Sequence, residues 1–386
     1  MHRPPSIPFV VRLLGLTIFC LVTAEFMVAG MVPALAAALR VSVGAIGNLI
    51  ALYALGMAVG GPVVVALMLA LRLPHKPALL WLLALYVAGA AVAAAAGGYG
   101  TMAAGRIAMG MASAACFGVS LTLCAELVAP EARGRAASLV LAGVMLAPVF
   151  GVPATAWIKQ RWGWRTSFWA VAALSVLCTA VVAWRVPAPR GQEHAGLGAE
   201  LRALRNGRLW AAYATSALII GATFAAFSYF SPIFTGVTGF AAPAIPWLLM
   251  AYGIANVAGN FVVGRLADRH MIGVLAGGLG VMVAALGAFA LFAHSAPASV
   301  AAFLALGLTG VALNPAMVAR VMRAAAPGPL VNTMHASLIT TGLAFGTWAG
   351  GAAIDADLGL RAPLWVGLAL AVAGLLSLAP AAARRA

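Results

Sequence analysis

The chain has 386 residues, 64% of them hydrophobic and 8% charged, with a mean hydropathy of +1.05. A soluble protein of this length has no interior large enough for so much apolar side chain, so its solvent is lipid. Ala, Leu, Val and Gly dominate without ten-residue alternating strands, which excludes a β-barrel and predicts an all-α membrane protein.

The formal net charge of +15 would suit a nucleic-acid binder. The basic residues, however, fall in short clusters between apolar runs rather than on one face interleaved with aromatics, so no nucleic-acid partner is expected. Cys20, Cys116, Cys124 and Cys178 lie inside apolar runs without CxxC spacing. They read as small hydrophobes in packed helices, neither disulfides nor metal ligands.

The apolar runs break at Pro, Gly and Arg into twelve predicted spans: 9–38, 43–71, 77–97, 100–127, 135–158, 165–186, 208–234, 243–264, 271–293, 297–319, 329–354 and 363–382. An even number puts both termini on one side. The N-terminus shows no small-residue cleavage site, so span one is expected to be retained. The longest polar stretch begins at Pro187 and divides the chain into residues 1–186, a linker over 187–207 and residues 208–386. Within it, Leu201–Arg208 reads as a short interfacial helix. Of the 23 Lys and Arg, seventeen fall on the side of the termini and five on the other, with Arg106 inside span four. The excess predicts cytoplasmic termini and a multi-pass protein of the cell membrane.

Span one carries the most informative residue. Glu25 lies thirteen residues after Arg12 and fifteen before Arg40, at mid-membrane. An ionisable group there is costly, and it marks a functional site by default. The other acids read as interfacial or loop charges: Glu126 and Glu131 near Arg133 and Arg135, Asp355 and Asp357 in a solvated loop, Glu193 and Glu200 in the linker.

The halves resemble each other. ALYALGMAVGGP in span two and MAYGIANVAGNF in span eight place Tyr53 and Gly60 opposite Tyr252 and Gly259 at one constant offset. Such repeats are common in secondary transporters, whose substrate site lies at the midplane between them. Gly264-Arg265-Leu266-Ala267-Asp268-Arg269 reads as a charged loop after span eight, able to latch a neighbouring helix end on the cytoplasmic side. Span five has small residues and prolines at helical spacing (Gly143, Pro148, Gly151, Pro153), allowing close approach and kinks.

Together the twelve spans, the GRLADR segment, Gly105-Arg106 opening span four and the Gly/Pro pattern of span five resemble the major facilitator superfamily. TAEFMVAGMVPALA, FGVPATAWIKQRWGWRTSFWAVAAL, FSYFSPIFTGVTGF and LRAPLWVGLALA are similar to its bacterial chloramphenicol-resistance and arabinose/sugar-efflux branch. The resemblance covers almost the whole chain. It implies two pseudo-symmetric six-helix halves. It also implies that Glu25 couples protons to substrate with help from Arg106, and that Gly143, Pro148, Gly151 and Pro153 form an antiporter motif. Asp268 and Arg269, with Gly264 and Arg265, match the second copy of a cytoplasmic latch. The first copy departs from the pattern: Leu69 stands where the repeat places the partner of Asp268, and Arg72, His75 and Lys76 keep only the basic part.

Other polar and aromatic residues are candidates for the substrate cavity: Tyr229 and Phe230 in an aromatic cluster with Phe224 and Phe227, Asn256, Asn314 and His335. Histidine inside a span can titrate near neutral pH, but more often it is a satisfied packing residue. Asn314 precedes Pro315 and can instead serve backbone groups freed at a kink.

The expected function is that of a monomeric, proton-coupled exporter of small molecules, chloramphenicol-like drugs foremost, working by alternating access. Its partners are substrate, protons and the bilayer. No phosphate-binding Gly-Lys-Ser/Thr loop is present, so the proton gradient replaces any cofactor or ATP. The alternatives are a sugar or nucleoside efflux carrier, an uptake carrier or uniporter, which the span-five motif argues against, and a membrane receptor, which would carry a sizeable soluble domain.

Overall fold

A computed structural model describes residues 8–70, 74–128, 132–186, 204–324 and 329–379. Ten of its helices are long and apolar enough to cross a membrane: α1 (Phe9–Leu39), α2 (Val43–Val64), α3 (His75–Ala94), α4 (Tyr99–Cys124), α5 (Ala136–Trp162), α6 (Trp164–Arg185), α7 (Gly207–Phe227), α8 (Ala242–Ala267), α9 (Arg269–Leu291) and α10 (Ala296–Ala324). Two more complete the bundle, α11 (Pro329–Ala353) and the shorter, strongly apolar α12 (Ala362–Leu376). Helix α11 is long enough to span. Asn332, Thr333, His335, Ser337, Thr340 and Thr341 dilute its apolar character.

The face on which α1 begins and α12 ends is called the terminal face, and its opposite the far face. In the first half α1 packs on α5 and α6, α3 on α4 and α6, and α2 on α4. In the second, α7 packs on α11 and α12, and α8 and α9 on α10. The halves meet where α2 lies along α11 and α5 along α8.

The internal repeat has a physical basis. The Tyr53 carbonyl lies so close to Gly110 of α4 that any Cβ there would collide with it. In the second half the Tyr252 carbonyl lies 2.9 Å from a Cβ built on Gly307 of α10. Small residues let backbones touch in lipid, where packing rather than water drives helix association.

Several sequence expectations are corrected. The GRLADR segment is not a loop. Backbone runs helically from Ile245 to Leu291, broken only at His270 (φ −125°, ψ 35°), so Gly264–Ala267 extend span eight and Arg269 already belongs to α9. Arg320, counted among the loop charges, lies in the helix Asn314–Ala324, is buried and donates through Nη1 to Thr215 Oγ1 at 2.6 Å. Glu126 pairs with His75, Oε1 to Nδ1 at 2.9 Å, so it carries a contact the charge pattern did not suggest. The four cysteines are buried, as their placement in apolar runs predicts. Helix α7 starts at Gly207 behind Asn206, whose Oδ1 accepts from the Arg208 N–H. The linker over 187–203, Arg72 and Glu131 lie outside the described residues; of the expected interfacial helix Leu201–Arg208, residues 204–208 are described, and they form a turn, the Asn206 cap and the start of α7.

Candidate functional site

Glu25 sits at a break in α1. The helix is α-helical through Phe26 and then tightens into a 3₁₀ turn over Met27–Met31. Such a change of hydrogen-bonding register frees carbonyls upstream. Arg106, wholly buried in α4, takes them: Nη1 donates to the Ala24 carbonyl at 2.6 Å and Nη2 to the Glu25 carbonyl at 3.0 Å. Nε donates to the Leu49 carbonyl of α2 at 3.3 Å. The guanidinium lies 4.2 Å over the ring of Tyr53, whose hydroxyl donates to the Leu21 carbonyl at 3.3 Å. One arginine thus ties α1, α2 and α4 together.

Arg106 makes no ion pair with the Glu25 carboxylate; its hydrogen bonds go to backbone. Glu25 is 7% exposed, and the residue after it reaches the second half. The next residue, Phe26, stacks on Phe224 of α7 at 5.2 Å and meets Phe227 edge-on at 6.2 Å. Behind that pair the aromatics continue into the second half. Phe227 lies 4.8 Å from Tyr252, Tyr252 stacks on Phe303 at 4.8 Å, and Phe303 stacks on Phe230 at 5.1 Å.

The Gly/Pro motif of α5 lies on the seam between the halves. A π-helical turn over Ala147–Gly151 absorbs Pro148, which has no N–H to give to an α-helix. Gly143 lies against the Gly15 carbonyl and Gly151 against Thr23, so α5 is pressed onto α1. Toward the second half, Gly253 of α8 meets the backbone of Pro148; a Cβ there would be 2.6 Å from its carbonyl. Pro153 follows in the first turn of the next helical segment. The motif therefore wedges between the proton-candidate helix and the opposite half.

The remaining candidates separate. Asn256, one turn beyond Tyr252, is buried with its Oδ1 unpartnered. Asn314 starts a helical segment directly after a 3₁₀ turn over Val311–Leu313. His335 is buried away from Glu25: its Nε2 lies 2.9 Å from Ser216 Oγ and its ring stacks on Tyr213 at 5.7 Å. Tyr229 is at the far face, where its hydroxyl donates to the Thr347 carbonyl at 2.8 Å. In the latch segment, Arg265 lies 4.0 Å over Phe261 and Gly264 is nearest to Pro315. Arg269 is exposed, and the side chain of Asp268 lies outside the described residues. The contacts of Arg106 with carbonyls and the far-face position of Tyr229 were missed by sequence reasoning. The signal that could have found the first is Gly30 and Pro33, which favour a break in α1 beside Glu25.

A family model described as Major Facilitator Superfamily matches residues 14–333. A chloramphenicol resistance protein of Streptomyces lividans is 35% identical over 379 residues, covering 96% of this chain and 95% of that one. The inner membrane transport protein YdhP of Escherichia coli (strain K12) is 31% identical over 347 residues, 90% of this chain and 89% of that one. Among solved structures, a bacterial homolog of the human lysosomal transporter Spinster, inward-facing and unoccupied, superposes with a TM-score of 0.73 at 17% identity, covering 98% of this chain and 96% of that one. The chain belongs to the major facilitator superfamily, and it is a multi-pass membrane transporter, not an enzyme.

Proposed function

We propose that this transporter is a proton-coupled exporter of small molecules, with chloramphenicol-like antibiotics as its first substrate class. The observation that carries the reading is Glu25: a buried carboxylate at mid-span, next to Phe26, which meets the second half, with no ion-pair partner and its backbone fixed by Arg106. A carboxylate in lipid is expensive as an anion, and binding a proton removes that cost. Protons entering from outside neutralise Glu25. Their release to the cytoplasm restores the charge and favours the state that rebinds substrate.

The termini are cytoplasmic in this reading, following the excess of Lys and Arg on their side. The halves rock about the seam in alternating access. Phe26, Phe224, Phe227 and Tyr252 offer an apolar surface, and the unpartnered Asn256 Oδ1 an acceptor, which together suit a mostly apolar molecule with a hydroxyl or amide. Relatives named for chloramphenicol resistance and efflux, from Streptomyces lividans and Mycobacterium tuberculosis, support the drug class.

Proteoliposomes with an imposed proton gradient test the reading. Chloramphenicol should move against its own gradient and opposite to the proton flux, while a sugar such as arabinose should not. Uphill sugar movement with no drug movement would overturn the drug assignment; movement of either only down its gradient would overturn proton coupling.

A further inference from the structure

On the far face one phenol sits in a socket of glycines. Tyr229 follows α7 at a break in the chain (φ −115°, ψ 9°) and is wholly buried. Its hydroxyl bond to the Thr347 carbonyl fixes it to α11, within its own half. Its ring projects to α2 of the other half, where Gly47 leaves a hole: any Cβ at Gly47 would collide with the ring carbons and the hydroxyl. Gly350 and Gly351 of α11 line the same hole, and a Cβ on Gly350 would lie 3.0 Å from the ring.

Beside the socket the two backbones meet. A Cβ built on Gly351 would be 3.1 Å from the Gly44 carbonyl oxygen. Asp355, one turn past Gly351, lays its carboxylate against Gly44. Gly44 is in the first turn of α2, which starts behind Ser42; the Ser42 Oγ accepts from the Ala45 N–H at 3.0 Å. A carboxylate beside the positive end of a helix is attracted to it, and here the two belong to different halves. A second tie on this face runs from Gln160 Nε2 to the Ala242 carbonyl at 2.6 Å.

We propose that Tyr229 is the bolt of the far-face gate and Asp355 its catch. The bolt stays with the second half through Thr347. Opening the far face is the withdrawal of α2 from it, and resealing requires that position 47 carry no side chain. Tyr229 therefore sets the balance between the sealed and open states rather than lining the substrate cavity. The inference rests on the alternating-access reading above, but its test needs neither substrate nor proton gradient.

The test is cross-linking between Gln160→Cys and Ala242→Cys, in a background with the four native cysteines replaced by Ala, in nanodiscs. The yield reports the sealed far face. Gly47→Val should lower the sealed-to-open ratio roughly tenfold, the cost of overpacking a filled site. Tyr229→Ala alone, which withdraws the bolt, should also lower the ratio; in the same chain as Gly47→Val it should recover part of the loss, because the valine then occupies the emptied socket. Asp355→Asn alters an exposed side chain and should lower the ratio by roughly two- to fivefold. If Gly47→Val does not fold, the Asp355→Asn shift and the behaviour of the Gly47→Val/Tyr229→Ala double variant decide. Cross-linking at the unsubstituted level in Gly47→Val or Asp355→Asn, or no recovery on adding Tyr229→Ala, overturns the gate. The exporter reading stands or falls separately, on antiport measured in proteoliposomes.

Discussion

Arg106 holds Glu25 by its backbone: Nη2 donates to the Glu25 carbonyl oxygen at 3.0 Å, and no hydrogen bond or ion pair joins the guanidinium to the carboxylate. The arginine fixes where the acid sits, and the acid keeps its proton-binding oxygens for other partners. A direct salt bridge would instead stabilise the anion and oppose protonation.

Arg106→Lys should therefore destabilise the first half. Lysine presents a single point of donors and cannot fork to the Ala24 and Glu25 carbonyls while reaching Leu49. Two lost charge-assisted hydrogen bonds at about 1.5 kcal/mol each predict a loss on the order of 3 kcal/mol. Thermal unfolding in detergent measures it, and a Lys variant that melts with the parent would contradict the tethering role.

His335→Gln should leave transport coupled. A Gln amide can keep the bond to Ser216 and forfeits only the stacking on Tyr213, worth about 0.5–1.5 kcal/mol. Drug-driven proton movement within roughly twofold of the parent is expected, since no interaction at the coupling site changes. Loss of coupling with an intact fold would make His335 a second proton carrier.

The cytoplasmic latch should be asymmetric. Leu69 stands at the repeat position of Asp268, so only the second half carries an acid at that repeat position. Asp268→Asn should slow drug efflux by roughly tenfold, the scale of one charge-assisted interaction, whereas Arg72→Ala should slow it far less. Efflux from loaded cells compares them, and the reverse order would contradict the asymmetry.

Much of the fold was legible because lipid imposes strong rules on a sequence. The apolar runs had to be spans, and the constant offset between Tyr53 and Tyr252 was the trace of two helix crossings at Gly110 and Gly307. What stayed hidden depended on direction rather than composition. Asp355 looks like any solvated loop acid until α2 and α11 come together and place it on Gly44. Arg320 looks like an orientation signal because a charge census assigns residues to faces by sequence position, yet the helix there turns it inward to Thr215. GRLADR has the charge density of a loop, but nothing in it breaks a helix; the break comes one residue later, at His270. Glu25 stood out for a simpler reason, being the single acid deep in an apolar run, and its carbonyl contact with Arg106 required knowing that α1 changes helical register beside it.

The most direct test of the central claim is Glu25→Gln in proteoliposomes, with chloramphenicol movement followed both under a proton gradient and in exchange down the drug's own gradient. Glutamine keeps the size and the backbone bond to Arg106 while removing the titrating oxygen. The account predicts that the Gln variant loses uphill, proton-driven movement and keeps downhill exchange. A Gln variant that still pumps uphill at the parental rate would contradict it.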